Sequence, residues 1–508
     1  MKRDAMLAAL REPCDVLIVG GGATGLGAAV DSVTRGYRTT LIEAVDFAKA
    51  TSSRSTKLIH GGVRYLQSGD ISLVREALRE RTILRANAPH LVVDRPFVVP
   101  AYRWYEAPYY FAGLQLYDLL AGKSTFGRSR HLSRDETLAR MPGLREAGLR
   151  GASLYHDGQF DDARLAIALA RTAADHGATV VNYVEATRFL YERDRLFGVA
   201  ARDVETNDEI EIRARVVVNA TGIFADKLRR ADDSQLAPLL SLSRGTHLVF
   251  PRSVFDTHDA LLVPKTDDGR ILFAIPWHDH VLVGTTDIEV RDAELDPVPS
   301  SAEIDYIVAH FNRYLARPVD RTMVTSQFAG LRPLVNRHAA STAKLSREHI
   351  VETSRSGLIT VVGGKWTTYR KMAQDTVDAA ASAGDLRPAP CRTADLPLHG
   401  SDGAAASDIL DPLALYGSDR AALLALIAEN ASLGEQIHPR LPYVRAEIVF
   451  AARFEMARTV DDALSRRTRA LFLDREAAIE SAELVASLLA KELGRTPQWQ
   501  AEQVRTLV

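Results

Sequence analysis

The chain has 508 residues, 46% of them hydrophobic and 25% charged, and a net charge of −2, which leaves room for two or three domains. It has no basic excess of the kind that nucleic-acid binders carry, so no nucleic-acid partner is expected. Its two cysteines, Cys14 and Cys391, cannot build a disulfide framework, and no run approaches the ~18 apolar residues of a membrane span.

The opening stretch MKRDAMLAALREPCD is broken by charge and reads as a short helix, not a signal peptide. DVLIV (15–19) follows as a short apolar run typical of a buried parallel strand. GGGATG then leads into a helix of small residues, and a second strand, TTLIE, ends at Glu43. Gly20, Gly22 and Gly25 thus form G-x-G-x-x-G between strand and helix, with an acid roughly 20 residues on. That order is the signature of dinucleotide binding. Glycines let the backbone approach a pyrophosphate, the helix N-terminus supplies free N–H groups, and a carboxylate at 43 accepts from ribose hydroxyls. An acid there disfavours a 2′-phosphate and leaves FAD or NAD.

TSSRSTKLIHGGVRYL (51–66) gathers hydroxyls, bases and a histidine in one run. Ser52, Ser53 and Thr56 offer donors for the pyrophosphate and ribityl chain of the longer cofactor, FAD. NATG (219–222) closes another strand and offers Ala220, Thr221 and Gly222 for backbone contact. ILFAIPW (271–277) and VLVGTTDI (281–288) read as adjacent strands joined by the turn HDH. GLITVVGGKWTTYRKMAQDTVDAA (357–380) reads as strand, Gly-Gly turn and helix. Gly363, Gly364 and Lys365 would bring a helix N-terminus and a cation to the negative edge of reduced flavin. Residues 385–408 read as a linker. Beyond it, Val444, Ile448, Ala452, Met456 and Val460 recur at helical spacing, as do Ile479, Ala482, Val485 and Leu489, with Gly494 as a cap.

DVLIVGGGATGLGAA, TSSRSTKLIHGGVRYL, YHDGQFDDARL, VVVNATG, GTTDIEV, FAGLRPLV, VVGGKWTTYRKMA and RRTRALFLD together resemble the FAD-dependent, quinone-linked glycerol-3-phosphate dehydrogenases, from about residue 14 to about 475. The resemblance implies an α/β fold. It consists of a glutathione-reductase-like FAD-binding domain, an inserted antiparallel-sheet substrate domain and an all-helical C-terminal domain. The expected division is FAD-binding parts at about 14–90, 150–240 and 340–384, substrate parts at about 90–150 and 240–340, and a helical domain over 409–508. It implies noncovalent FAD, no metal, and hydride transfer from sn-glycerol 3-phosphate with electrons passed to membrane quinone. It extends the cofactor contacts to Thr24, Lys57, Leu58, His60, Gly61, Gly62, Trp366 and Thr367.

Glycerol 3-phosphate carries a phosphate dianion, which suits arginine forks, and an alcohol, which needs a base near neutral pH. The resemblance points to Arg64, Arg332 and Lys365 for the first. His60 and His247 are both candidates for the second, with Tyr65 and Thr286 orienting the substrate. An oxygen-using glycerol-3-phosphate oxidase and a flavin amine or amino-acid oxidase are the alternatives. The family sits on the cytoplasmic face of the cell membrane in bacteria. The aromatic stretch 103–122 is a candidate for the lipid surface, or equally for a core or homodimer contact. Arg466, Arg467 and Arg469 are either lipid-facing or a solvated helix end.

Overall fold

The computed structural model describes residues 1–62, 70–122, 126–336, 349–403 and 411–507; Arg64 and Tyr65 lie outside them. One sheet carries five parallel strands in the order Ile359–Gly363, Glu209–Asn219, Cys14–Val19, Thr39–Ile42 and Thr179–Val181. His349–Thr353 adds an antiparallel edge, and the hairpin Val184–Glu192/Arg195–Asp203 pairs with the first half of Glu209–Asn219.

The central strand is apolar over Val16–Val19 because both of its faces are covered there. Val16 and Ile18 pack on Leu26 and Val30, on Leu165 and Leu169, and on Met372 and Val377. These pairs come from the helices Ala23–Thr34, Asp162–Asp175 and Tyr369–Ala383. Leu17 and Val19 face the other way, onto Leu10, Val184, Val199 and Ile212. The alternation is the two-fold period of a strand sandwiched between two layers.

The second sheet runs from Leu58–Ile59 through Gly151–Phe160, Val92–Ala101, Ala260–Val263, Leu272–Trp277 and His280–Gly284 to Leu240–Pro251. Ser326–Val335 and Ile288–Val290 also pair with Leu240–Pro251. Val92–Ala101 and Ala260–Val263 are parallel, so the sheet is mixed and not antiparallel throughout. The helix Ser301–Asn312 covers one face through Ile307 and Phe311. The C-terminal helices cover part of the other, where Leu464, Phe472 and Leu473 meet Trp277, Leu282 and Phe328.

Two expectations for the C-terminal region need correction. The periodic run from Val444 to Val460 is not one helix. Arg445–Phe454 ends, Met456 takes a left-handed φ of 53°, and a new turn starts at Val460 under a Thr459 cap. The break lets the buried Glu455 carboxylate take both guanidinium nitrogens of Arg164. Arg466, Arg467 and Arg469 are neither solvated nor lipid-facing, for all three are 1% exposed. Arg466 and Arg467 grip Asp46, and Arg469 reaches Asp162 at 3.2 Å. Cations so far from water need buried acids beside them; Asp46 and Asp162 come from the first third of the chain, and Asp462, 2.7 Å from Arg466, from the same segment.

Candidate active site

The strand Cys14–Val19 runs straight into the glycine turn. Gly20 has φ 115°, and Gly22, at the N-cap of the helix Ala23–Thr34, has no side chain of its own to cap the helix N–H groups. A Cβ on Gly25 would overlap the Gly20 carbonyl oxygen, so helix and strand approach as closely as this only with glycine there. The Ala23 N–H donates to Ser52 Oγ at 2.9 Å. The Glu43 carboxylate accepts from Gly21 N–H at 2.6 Å and Val45 N–H at 2.9 Å, and burial raises its pKa.

A cavity of about 840 Å³ opens over this turn. Gly20, Gly22, Thr24, Glu43 and Ser52 line it, with Ala220, Thr221 and Gly222 from the end of a second strand. Gly364, Lys365 and Trp366 come from the end of a third, and Val184, Ala186 and Phe189 extend the wall. Size, backbone donors and the carboxylate fit an extended dinucleotide. Gly25→Ala is therefore expected to yield folded protein with FAD occupancy below about a tenth of the parent. Flavin absorbance per protein measures it, and full occupancy would contradict the role given to that contact.

Gly25, Ser53, Thr56, Lys57, Leu58, His60, Gly61, Gly62 and Thr367 are not among the residues that line this cavity. Thr51 Oγ1 donates to the Leu331 carbonyl at 2.7 Å, and the Trp366 indole N–H donates to the Ser52 carbonyl at 2.9 Å. Ser53 and Lys57 belong to the support under this loop. Lys57 Nζ donates to the Ser53 carbonyl at 2.8 Å and to Asp162 at 2.7 Å. Arg469 donates to the same carbonyl at 2.7 Å. Burial first, then the Arg469 charge, pushes the Lys57 ammonium down to about 7. Leu58 and Ile59 pair with Gln159 and Gly158 of the second sheet. The His60 N–H donates to Thr367 Oγ1 at 3.2 Å, which ties the segment to the Gly-Gly-Lys turn.

From the second sheet comes His247, buried and stacked on Phe328 with ring centroids 5.0 Å apart. Its Nε2 shares a hydrogen bond with Thr56 Oγ1 at 2.9 Å. Burial, and after it the Arg332 and Lys57 charges, hold its pKa well below the ordinary histidine value. Arg332 donates to the Thr286 carbonyl at 3.1 Å and to Thr285 Oγ1 at 3.0 Å, and its neighbour Pro333 lines the cavity. Gly245 is what lets that guanidinium cross the neighbouring strand, since a Cβ there would strike it. The Thr286 hydroxyl is already committed. It donates to Glu303 at 2.8 Å and accepts from the Thr246 N–H at 2.9 Å. Thr286 thus serves Arg332 through its carbonyl, and Thr285, not singled out in the sequence, supplies the hydroxyl. Glycines inside strands were the available signal for Gly245 and Gly284, which faces His247.

A dinucleotide cleft flanked by a buried imidazole and an oriented arginine defines a redox enzyme site. The model of the FAD dependent oxidoreductases matches residues 15–370, and that of the C-terminal domain of alpha-glycerophosphate oxidase matches residues 359–503. The protein is an FAD-dependent oxidoreductase with a helical C-terminal region. The human mitochondrial glycerol-3-phosphate dehydrogenase is 40% identical over 540 residues, covering 99% of this chain and 74% of that protein. The Arabidopsis thaliana mitochondrial enzyme SDP6 is 40% identical over 535 residues, covering 97% and 85%. The crystal structure of glycerol-3-phosphate dehydrogenase from Bacillus halodurans complexed with FAD superposes with a TM-score of 0.81 at 31% identity, covering 99% of this chain and 96% of that one. The chain belongs to the glycerol-3-phosphate dehydrogenase family.

Proposed function

We propose that the protein oxidises sn-glycerol 3-phosphate to dihydroxyacetone phosphate and passes the electrons to membrane quinone. The observation that carries this reading is Arg332, oriented by Thr285 and Thr286 beside His247 and at the edge of the cofactor cavity. A guanidinium held in one orientation suits a phosphate better than an amine. FAD, when bound, would supply the acceptor for the hydride of the alcohol carbon.

The chain's own residues do the rest. Arg332, with Arg64 and Tyr65, holds and orients the substrate. Lys365, with Gly363 and Gly364, brings positive charge to the cofactor's anionic edge. His60 takes the hydroxyl proton. His247, kept uncharged, is the weaker base and orients the substrate through Thr56. The sheet of 240–340 with the 90–150 segment forms the substrate domain, the remaining parts of 14–384 form the FAD domain, 385–408 is the linker and 409–508 the helical domain.

The enzyme works at the cytoplasmic face of the cell membrane. Among the described residues no helix is long and apolar enough to cross a membrane. The helix Glu106–Ala121 and the turn before it expose Trp104 at 77%, Tyr109 at 59% and Leu119 at 77%. Such a ridge suits shallow insertion between headgroups. The test uses purified enzyme, substrate and a soluble quinone analogue. Dihydroxyacetone phosphate is expected to form in step with quinone reduction, with little oxygen uptake when quinone is omitted. Oxygen consumed at the full rate without quinone would make the protein an oxidase.

A further inference from the structure

Tyr117 sits on the inner side of that same surface helix, 1% exposed, and its hydroxyl meets the backbone of the catalytic segment. The Gly61 N–H donates to Tyr117 Oη at 2.8 Å, and Tyr117 Oη donates to Asp157 Oδ2 at 2.8 Å. Arg81 Nη1 donates to Asp157 Oδ1 at 2.6 Å, and Arg81 and Asp157 are as deeply buried as the tyrosine. A Cβ on Gly61 would strike the phenol oxygen. We infer that Tyr117 is a positioning residue for His60, holding the Gly61 amide while Asp157 and Arg81 fix the direction of its hydroxyl.

The geometry works in one sense only. The Asp157 carboxylate, paired with Arg81, accepts and does not donate. The phenol proton is therefore spent on Asp157, and a lone pair is turned to the Gly61 N–H. Asp157 lies on the strand Gly151–Phe160, whose Gly158 and Gln159 pair with Ile59 and Leu58. The acid that aims the tyrosine and the strand that holds the segment are thus one piece of chain. On the far side Thr367 takes the His60 N–H. The imidazole of His60 is carried between two hydroxyls that grip consecutive peptide groups, and a loose grip of this kind costs rate before it costs folding.

The inference rests on the role given to His60 under the proposed function, so the test has two independent arms. In the FAD-loaded Tyr117→Phe variant, hydrogen exchange of the Gly61 amide should rise at least about tenfold, with exchange in the strand Cys14–Val19 unchanged. Flavin reduction at saturating glycerol 3-phosphate, per bound flavin, should fall about tenfold with flavin content near that of the parent. A purely structural tyrosine would lower the melting temperature and leave the rate per bound flavin alone. Asp157→Asn, which keeps the phenol but weakens its aim, should move both readouts the same way by less, and serves in its place if Tyr117→Phe loses FAD. Unchanged exchange, or faster exchange with a rate within twofold of the parent, overturns the inference. A parent flavin that the substrate does not reduce contradicts the proposed function instead, and the exchange arm still decides whether the clamp exists.

Discussion

Arg332→Ala is expected to lower kcat/KM for glycerol 3-phosphate by on the order of a thousandfold while leaving bound FAD intact. Loss of one partner of an oriented charged pair costs roughly 2–5 kcal/mol, and each ~1.4 kcal/mol is a factor of ten in rate. The arginine is not a free surface cation. Thr285 Oγ1 and the Thr286 carbonyl hold its two terminal nitrogens, and Asp287 stands 3.6 Å away. Much of the entropy of ordering it is therefore lost before substrate arrives. Arg332→Lys should recover only part of the activity, because an ammonium cannot reproduce the fork. The discriminating control is plain glycerol, whose slow turnover should be the same in parent and variant. Equal losses on both substrates would remove the phosphate from the role of Arg332.

The second large effect is expected at the proton acceptor. His60→Asn should slow flavin reduction by about 10²–10⁴-fold, the usual contribution of a general base. His247→Asn should slow it by about tenfold at most. The difference follows from the surroundings. His247 is buried and flanked by the Arg332 and Lys57 charges, and burial first, then those charges, disfavour its cation. A base whose protonated form is so disfavoured is a poor proton sink. The pH profile carries the same distinction. Because its folded pKa is depressed, His247 remains neutral as pH falls through the ordinary histidine range and contributes no acid limb there. A pH profile whose acid side is unchanged in His247→Asn is the expected result. An acid limb that vanishes in His247→Asn would make that residue the proton acceptor.

Much of this site is legible in the sequence because its signals are local. DVLIV, the three glycines and Glu43 lie within about thirty residues of one another and carry a single geometry. The Gly-Gly-Lys turn after VV is equally compact. What sequence could not supply is contact between distant segments. Arg466 and Arg467 look like a solvated helix end because Asp46, their partner, is some four hundred residues away. Separation along the chain also hid the part that Lys57 plays, since its acid, Asp162, and its neighbour Arg469 belong to other segments. Thr285 and Thr286 show a finer limit. They are adjacent and chemically alike, and only the packing of Glu303 decides which hydroxyl is spent. The helix break at Met456 escaped the periodicity for a related reason. The run stays apolar at the right spacing, but the demand of Arg164 for Glu455 is tertiary.

The most direct measurement of hydride transfer from a phosphorylated alcohol to the flavin of this cleft is anaerobic mixing of the FAD-loaded protein with sn-glycerol 3-phosphate, followed by flavin absorbance. Rapid bleaching that plain glycerol does not produce is the predicted result. A flavin that stays oxidised with glycerol 3-phosphate, or that bleaches equally with glycerol, would contradict it.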